Sequence, residues 1–295
     1  MSLVINNNMM AMNAARNLGN SYNNLATSVQ RLSSGLRVNS AADDAAGLAI
    51  RELMRADITA LNQGVRNAND AISLIQTADG SLGIIDEKLI RMKELAEQAA
   101  TGTYTSDQRL MIESEYQAMA SEITRIANST DFNGVHLLNG NLSGTHDGSG
   151  LTSTGQLKVH FGPGNDEAED YYYIEIGDCT ASALGVGNQA AADADAFTVS
   201  TQERAQMALE GIADAITSKD KVRAHLGSLQ NRLENTVSNL QIQSENLQAA
   251  ESRISDVDVS TEMTQFVRNQ ILTQSAVAML SQANSLPQMA MQLIG

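Results

Sequence analysis

Arg31-Leu-Ser-Ser-Gly-Leu-Arg-Val-Asn-Ser-Ala-Ala-Asp-Asp-Ala-Ala-Gly-Leu-Ala-Ile50 is a break between two long apolar seams. Upstream of it, Ala11, Ala15, Leu18, Tyr22, Leu25, Val29, Leu32 and Leu36 step by four and three, the spacing that keeps one stripe of a helix facing a partner helix. Downstream, Met54, Ile58, Leu61, Val65, Ala68, Ile72 and Ile75 repeat that spacing. Gly35 can take the left-handed conformation that ends a helix, and Ser40 with Asp43 forms a Ser-x-x-Asp capping box that starts the next. Two helices, coaxial or bent, are therefore predicted to meet here.

The residue inventory suits long helices better than an ordinary globule. The 295 residues include no tryptophan, four phenylalanines and two prolines. A large compact core draws on aromatics, whereas scarce Pro with abundant Ala, Leu, Gln, Asn and Ser favours helices packed side by side. A formal net charge of −15 repels nucleic acid and anionic membranes, so neither is expected as a partner. Met1 to Met12 lacks the cationic start and sustained apolar run of a secretory signal, and no apolar run is long enough to insert across a bilayer. Cys179 is alone and cannot form an internal disulfide; it is read as a small packed or loop residue.

Val4 to Leu36 reads as a helix with a narrow seam, marginal by itself and built to be buried by neighbours. From Ala41 a second helix runs to about Ala100, roughly 90 Å at 1.5 Å per residue, with a change of seam phase expected near Gly80, where Leu82, Ile85, Leu89, Met92, Ala96 and Ala99 take over. Thr101-Gly102-Thr103 ends it. Thr105 and Gln108 then cap a returning antiparallel helix carrying Ile112, Tyr116, Met119, Ile123 and Ile126. Asn133-Gly134 signals a tight turn anchored by Leu137 and Leu138. After an exposed Gly/Ser/Thr-rich loop from Asn141 to Gly155, Leu157, Val159 and Phe161 alternate, as do Tyr172, Ile174 and Ile176; with the turn at Gly162-Pro163-Gly164-Asn165 they predict a β-hairpin with one face on the helices. Ala190 to Ala196 is a small acidic connector, and Ser200 with Glu203 caps the last long helix. Its seam from Leu226 through Leu229, Leu233, Thr236, Leu240, Gln243 and Leu247 is coiled-coil in spacing. Beyond Asp256 the helix resumes with Val259, Met263, Phe266 or Val267, Ile271, Val277 and Leu280, its apolar residues spread over more than one face, and such a helix must be covered on several sides.

The predicted fold class is mainly α: an elongated antiparallel helical bundle or coiled coil with a small β-hairpin region. Residues 1–40 with 256–295 are expected to form an innermost terminal coiled-coil assembly domain. Residues 41–140 with 200–255 form a long-helix bundle, and 141–199 a short variable loop and hairpin region attached to it.

Enzymatic chemistry finds no constellation. His136, His146, His160 and His225 are scattered without ligand spacing, and none lies in a His-Glu-x-x-His motif. Asp43-Asp44 and the Asp256/Asp258 pair are read as helix caps, because carboxylates at helix starts satisfy free amides. Gly162 to Gly164 is followed by no Lys-Ser/Thr and so is no phosphate loop. The methionines Met9, Met10, Met12, Met279, Met289 and Met291 cluster at both ends, as a soft packing surface would require. No catalytic residue, cofactor or metal is assigned.

One family resembles this pattern closely. Arg-Leu-Ser-Ser-Gly-Leu-Arg-Val-Asn-Ser-Ala from Arg31, the following Asp-Asp-Ala-Ala-Gly, Arg66-Asn67-Ala68-Asn69-Asp70, Phe132-Asn133-Gly134, Asn231-Arg232-Leu233-Glu234-Asn235 and Ser281-Gln282-Ala283-Asn284-Ser285-Leu286-Pro287-Gln288 look like the signatures of bacterial flagellins. Only about Gly140 to Ser200 is poorly covered, and the outer domains usual after the hairpin are missing. The resemblance implies a homopolymer: a secreted, extracellular filament for swimming, exported unfolded through the flagellar type III apparatus. It also implies a chaperone on the C-terminal segment, filament cap and junction proteins, and recognition by an innate immune receptor. In flagellins an Arg-Val-Arg-Glu-Leu-Ala stretch packs on neighbouring subunits and is read by a Toll-like receptor; here it is Arg91-Met92-Lys93-Glu94-Leu95-Ala96. Arg91, Leu95 and Glu115 are accordingly expected on one exposed side of the bundle, and Leu18, Leu25, Leu32, Met263, Ile271 and Leu280 are expected to carry terminal assembly. The alternatives are a hook–filament junction protein, which resembles flagellins at both ends, and a non-flagellar helical coiled-coil adaptor.

Overall fold

The computed structural model describes residues 8–150, 153–167, 169–187 and 198–294. Five helices carry the described chain: α1 (Met9–Ser34), α2 (Ala45–Ala100), α3 (Ser106–Ser129), α4 (Gln202–Ser255) and α5 (Val259–Ile294). Between α3 and α4 lie two antiparallel hairpins, β1 (Asp131–Phe132) with β2 (Val135–His136) and β3 (Leu157–His160) with β4 (Tyr171–Ile174). The acidic connector at Ala190 to Ala196 lies outside the described residues. The chain divides into two compact units, Met1–Ile58 with Glu245–Gly295, and Thr59–Ser244.

In the Thr59–Ser244 unit, α3 and α4 both run antiparallel to α2. Arg109 donates to the carbonyls of Ala99 and Thr101 while Arg91 pairs with Glu115; Asp79 pairs with Arg223 while Asn62 meets Ser244. The seam of α2 runs Ala68, Ala71, Ile75, Ala78, Leu82, Ile85, Leu89, Met92, Ala96, Ala99, all buried, in unbroken three-four steps. The change of phase expected at Gly80 does not occur. Ala71 is buried where spacing placed the bulkier Ile72, and Ala78 fills the step between Ile75 and Leu82. In α3, Ala120 is buried beside the half-buried Met119, and in α4 Ser244 is buried where Gln243 is exposed.

Toward the start of α4 the seam continues through Ala205, Ala208, Ile212, Ala215 and Lys219. Lys219 is 1% exposed, and its ammonium is held by Asp86 of α2 and, at 2.8 Å, by Asp220. An ion in a seam is tolerated only when paired, and a pairing that works in one register penalises slippage. The cap of α4 is Thr201 rather than Ser200: its hydroxyl accepts from Arg204 N–H at 3.3 Å. The capping box of Thr105 with Gln108 forms as its spacing predicts.

Asn133 (φ 52°) and Gly134 (φ 81°) make the left-handed turn between β1 and β2, and Leu137 and Leu138 behind it are fully buried. In the second hairpin Leu157 pairs with Ile174 and His160 with Tyr171. Val159, Phe161, Ile174 and Ile176 are buried, so one face packs on the helices as the alternation predicts. The connection is longer than the Gly-Pro-Gly turn alone: the Asp170 carboxylate accepts from the N–H groups of Gly164 and Asp166, at 3.2 and 2.8 Å. Docking on α2 needs Gly64, where a Cβ would fall 1.9 Å from the Phe161 carbonyl oxygen. Asn67 then donates to the His160 carbonyl at 2.8 Å, and Arg232 of α4 lies over the Tyr172 ring at 3.6 Å.

Gly64→Ala gives this docking a measurable sign. In a free helix interior the change stabilises by about 1 kcal/mol. Here it forces the hairpin off α2 and should destabilise by roughly 1–3 kcal/mol, read as a lower urea midpoint with altered near-ultraviolet dichroism of Tyr171, Tyr172 and Tyr173.

Candidate assembly surface

The joint at Gly35 is one half of a clasp. Gly35 ends α1 in the left-handed conformation (φ 72°), returning its N–H to Arg31. The chain then pairs with the link between α4 and α5: Arg37 N–H donates to the Ser255 carbonyl at 2.6 Å and Val257 N–H to the Gly35 carbonyl at 3.0 Å. The Arg37 guanidinium adds a bond to the Ile254 carbonyl, and buried Arg51 donates to the Val38 carbonyl at 2.9 Å. The expected Ser40/Asp43 cap is displaced. Asp43 folds back on Asn39 and Ser40, and Asp44 starts α2 by accepting from Gly47 N–H at 2.9 Å. Two adjacent carboxylates thus divide the work, one closing the turn and the other opening the helix. Across the clasp, Asp258 opens α5 by accepting from Ser260 and Thr261. Hydrogen bonds from Ser40 hold the Asp43 carboxyl below its ordinary range, and those from Thr261 do the same for Asp258.

From this clasp α1 and α5 pair antiparallel. Arg31 meets Glu262 at 3.7 Å near the clasp, and Asn8 donates to the Ala283 carbonyl at 2.8 Å at the other end. On α1 the covered positions are Ala11, Ala14, Leu18, Ser21, Leu25, Ser28 and Leu32; on α5 they are Glu262, Phe266, Asn269, Thr273, Ala276, Leu280 and Ala283. Both run in strict heptads. The expected α1 seam is therefore half right: Ala15, Tyr22 and Val29 are exposed, and Ala14, Ser21 and Ser28 stand in their place. Side chains this small at one of the two heptad positions let the helices approach closely, which bulky residues there would prevent. Leu18, Leu25, Leu32 and Leu280 lie in this seam, whereas Met263 and Ile271 lie outside it and are exposed.

The two flanks of α1 beside its seam differ in chemistry. One carries Met12, Ala15, Gly19, Tyr22, Ala26 and Val29, apolar or small and all exposed. The other carries Asn13, Asn17, Asn20 and Asn24, which with Ser21, Ser275, Leu272 and Met279 line a groove of about 660 Å³ along the pair. On α5, Leu272 and Met279 occupy the groove side, so Met263 and Val277, on the other flank of the α5 seam, join the apolar flank of α1. The α1 flank around Tyr22 is apolar or small, while the groove is lined by four asparagines together with Leu272 and Met279.

In the Thr59–Ser244 unit, Arg91 donates to Glu115 at 2.7 Å and to Glu94 at 2.9 Å, and both pairs are open to solvent. Leu95 does not share that surface. It is 1% exposed, because α3 and α4 cover adjacent stripes of α2, and Leu95 beside Ala96 falls within the widened seam. The expected exposed triad reduces to the ion pair. Cys179 is buried, and burial pushes its thiol up to about 12, far from the range of a reactive thiol. Among the described residues no cluster of His, Cys, Asp or Glu has a metal-binding arrangement, and no helix is long and apolar enough to cross a membrane.

Comparison with known proteins bears on this geometry. Residues 5–143 match the bacterial flagellin N-terminal helical region and residues 209–294 the bacterial flagellin C-terminal helical region. The chain is 40% identical to flagellin FlaB2 of Treponema pallidum and 42% identical to a flagellin of Halalkalibacterium halodurans, in each case over 99% of this chain and 100% of the relative. Among solved structures, a putative flagellar hook-associated protein from Vibrio parahaemolyticus shares the fold at a TM-score of 0.55 and 15% identity, over 72% of this chain and all of that one.

Two expectations follow from the geometry. Leu95→Ala should lower the unfolding stability by about 2–5 kcal/mol, as a core truncation does, while Arg91→Ala leaves the urea midpoint nearly unchanged because its pairs are solvated. For the clasp, Asp43 and Asp258 have depressed folded pKa values, so their contribution is present above the unfolded value near 4 and is lost as pH falls through the lower folded value. Acid titration by circular dichroism should show helix loss in that window, and Asp43→Asn with Asp258→Asn should flatten it.

Proposed function

The chain belongs to the bacterial flagellin family, and from that premise we propose that it is a structural subunit whose terminal helices complete their folding by polymerising into the flagellar filament. The observation that carries this reading is the α1–α5 coil. Met9, Met12, Tyr22, Val29, Met263, Ile271, Leu272, Val277 and Met279 are all exposed on it. A helix pair buries only the stripe between its members, while ordering each residue opposes folding by roughly 1–2 kcal/mol of backbone entropy. Further copies of the same coil supply the missing cover. Residues 1–40 with 256–295 then act as the innermost assembly domain, 41–140 with 200–255 as the long-helix bundle domain, and 141–199 as the loop and hairpin region attached to that bundle.

The flagellar setting extends this reading to partners and place. Export in unfolded form through the type III apparatus, a chaperone on the C-terminal segment, cap and junction proteins at the filament ends, and an extracellular filament are consistent with family membership. The Arg91–Glu115 pair is an open polar surface that a neighbouring subunit or an immune receptor could contact; Leu95 contributes to it only by holding α2 in place. The subunit acts by assembly, with no catalytic step assigned to it. A junction-protein reading is less well supported, since that likeness rests on shared fold at 15% identity against 40% for a flagellin over nearly the whole chain.

Deletion of 1–39, or of 256–295, should abolish sedimentable polymer while circular dichroism still reports the helices of the Thr59–Ser244 unit. Normal filaments from either truncated chain, seen by electron microscopy, would refute the role given to the ends.

A further inference from the structure

We infer that the coil polymerises through an unlike pair of surfaces: the apolar ridge of one copy, centred on Tyr22, seats in the amide-lined groove of the next. This rests on the assembly reading and adds to it which surface meets which. Ridge and groove lie on opposite flanks of the same helix, so neither can satisfy the other within one chain. A contact between unlike surfaces leaves a free ridge at one end and a free groove at the other, and so propagates. Ridge against ridge would close after two copies.

The chemistry of the two surfaces matches. Tyr22 is 63% exposed and offers an apolar ring with a hydroxyl at its tip. The groove offers Ala14, Ala276, Leu272 and Met279 to the ring, and the amides of Asn17 and Asn20 to the hydroxyl. Neither the ridge nor the groove lining contains a charged side chain, so joining them desolvates no ion. Gly19 is a separate indication. Beyond the backbone of its own helix nothing lies within 4 Å of where its Cβ would be, so no packing contact within the chain requires glycine there, although glycine weakens a helix by about 1 kcal/mol relative to alanine. A ridge glycine one turn from Tyr22 admits close approach by the backbone of another copy.

The test uses the full-length chain with Tyr22→Asp on the ridge and Ser275→Lys in the groove. Both positions are exposed, so each monomer should keep wild-type helix content by circular dichroism. Each variant alone should lose most of its sedimentable polymer. An equimolar mixture should regain it, because every aspartate ridge can seat in a lysine groove and every native ridge in a native groove. If either variant alone polymerises like the wild type, or if both fail and the mixture stays soluble, the ridge-in-groove pairing is overturned while the assembly reading stands. Failure of the unaltered chain to polymerise would remove the assembly reading, and this pairing with it.

Discussion

Two helices can bury only the stripe that lies between them, and that geometric limit governs how this chain is built. The α1–α5 coil satisfies the limit with a seam in which Ala14, Ser21, Ser28, Thr273 and Ala276 alternate with Leu18, Leu25, Leu32, Phe266 and Leu280, leaving most of its bulky apolar residues outside. At about 25 cal/mol per Å² of apolar area, each uncovered Met, Val or Ile is stabilisation not yet realised. The coil is therefore only partly stabilised by its own chain, in keeping with a subunit that matures in a polymer.

The Thr59–Ser244 unit meets the same limit differently. There α2 is covered by both α3 and α4, so Leu82, Ile85, Leu89 and Met92 are wholly buried, and nearer its start the hairpin packs against it at Gly64. Such a unit has no comparable debt in its long seam. Its Lys219 ammonium is buried while Asp86 keeps contact with solvent, so the pair chiefly offsets the cost of desolvating the lysine and favours one register.

The clasp between the two interhelical links gives the terminal coil a fixed starting point. Paired backbone groups at Gly35, Arg37, Ser255 and Val257 satisfy amides that two helix ends would otherwise leave open. Asp44 and Asp258 then start α2 and α5 close to that point, so the first turns of both helices are set before their seams begin.

Element type and order were legible in the residues alone. Gly35, the Thr105/Gln108 box, Asn133-Gly134, the alternation around Phe161 and the heptads of α4 each have a local cause, and local causes can be read from spacing. So could the many-sided character of α5. Which face of each helix is covered was not legible, because spacing arguments weight bulky residues and the close contacts here are made by small ones. Ala14, Ala71, Ala120 and Ser244 sit in the seams, one position from the residues that spacing favoured. Leu95 was misplaced for a related reason: its burial depends on two helices distant in sequence, and Lys219 entered a seam only because Asp86 lies opposite. Periodicity determined that there would be seams; the distance between helix axes, set by side-chain volume at the contact, decided where they run.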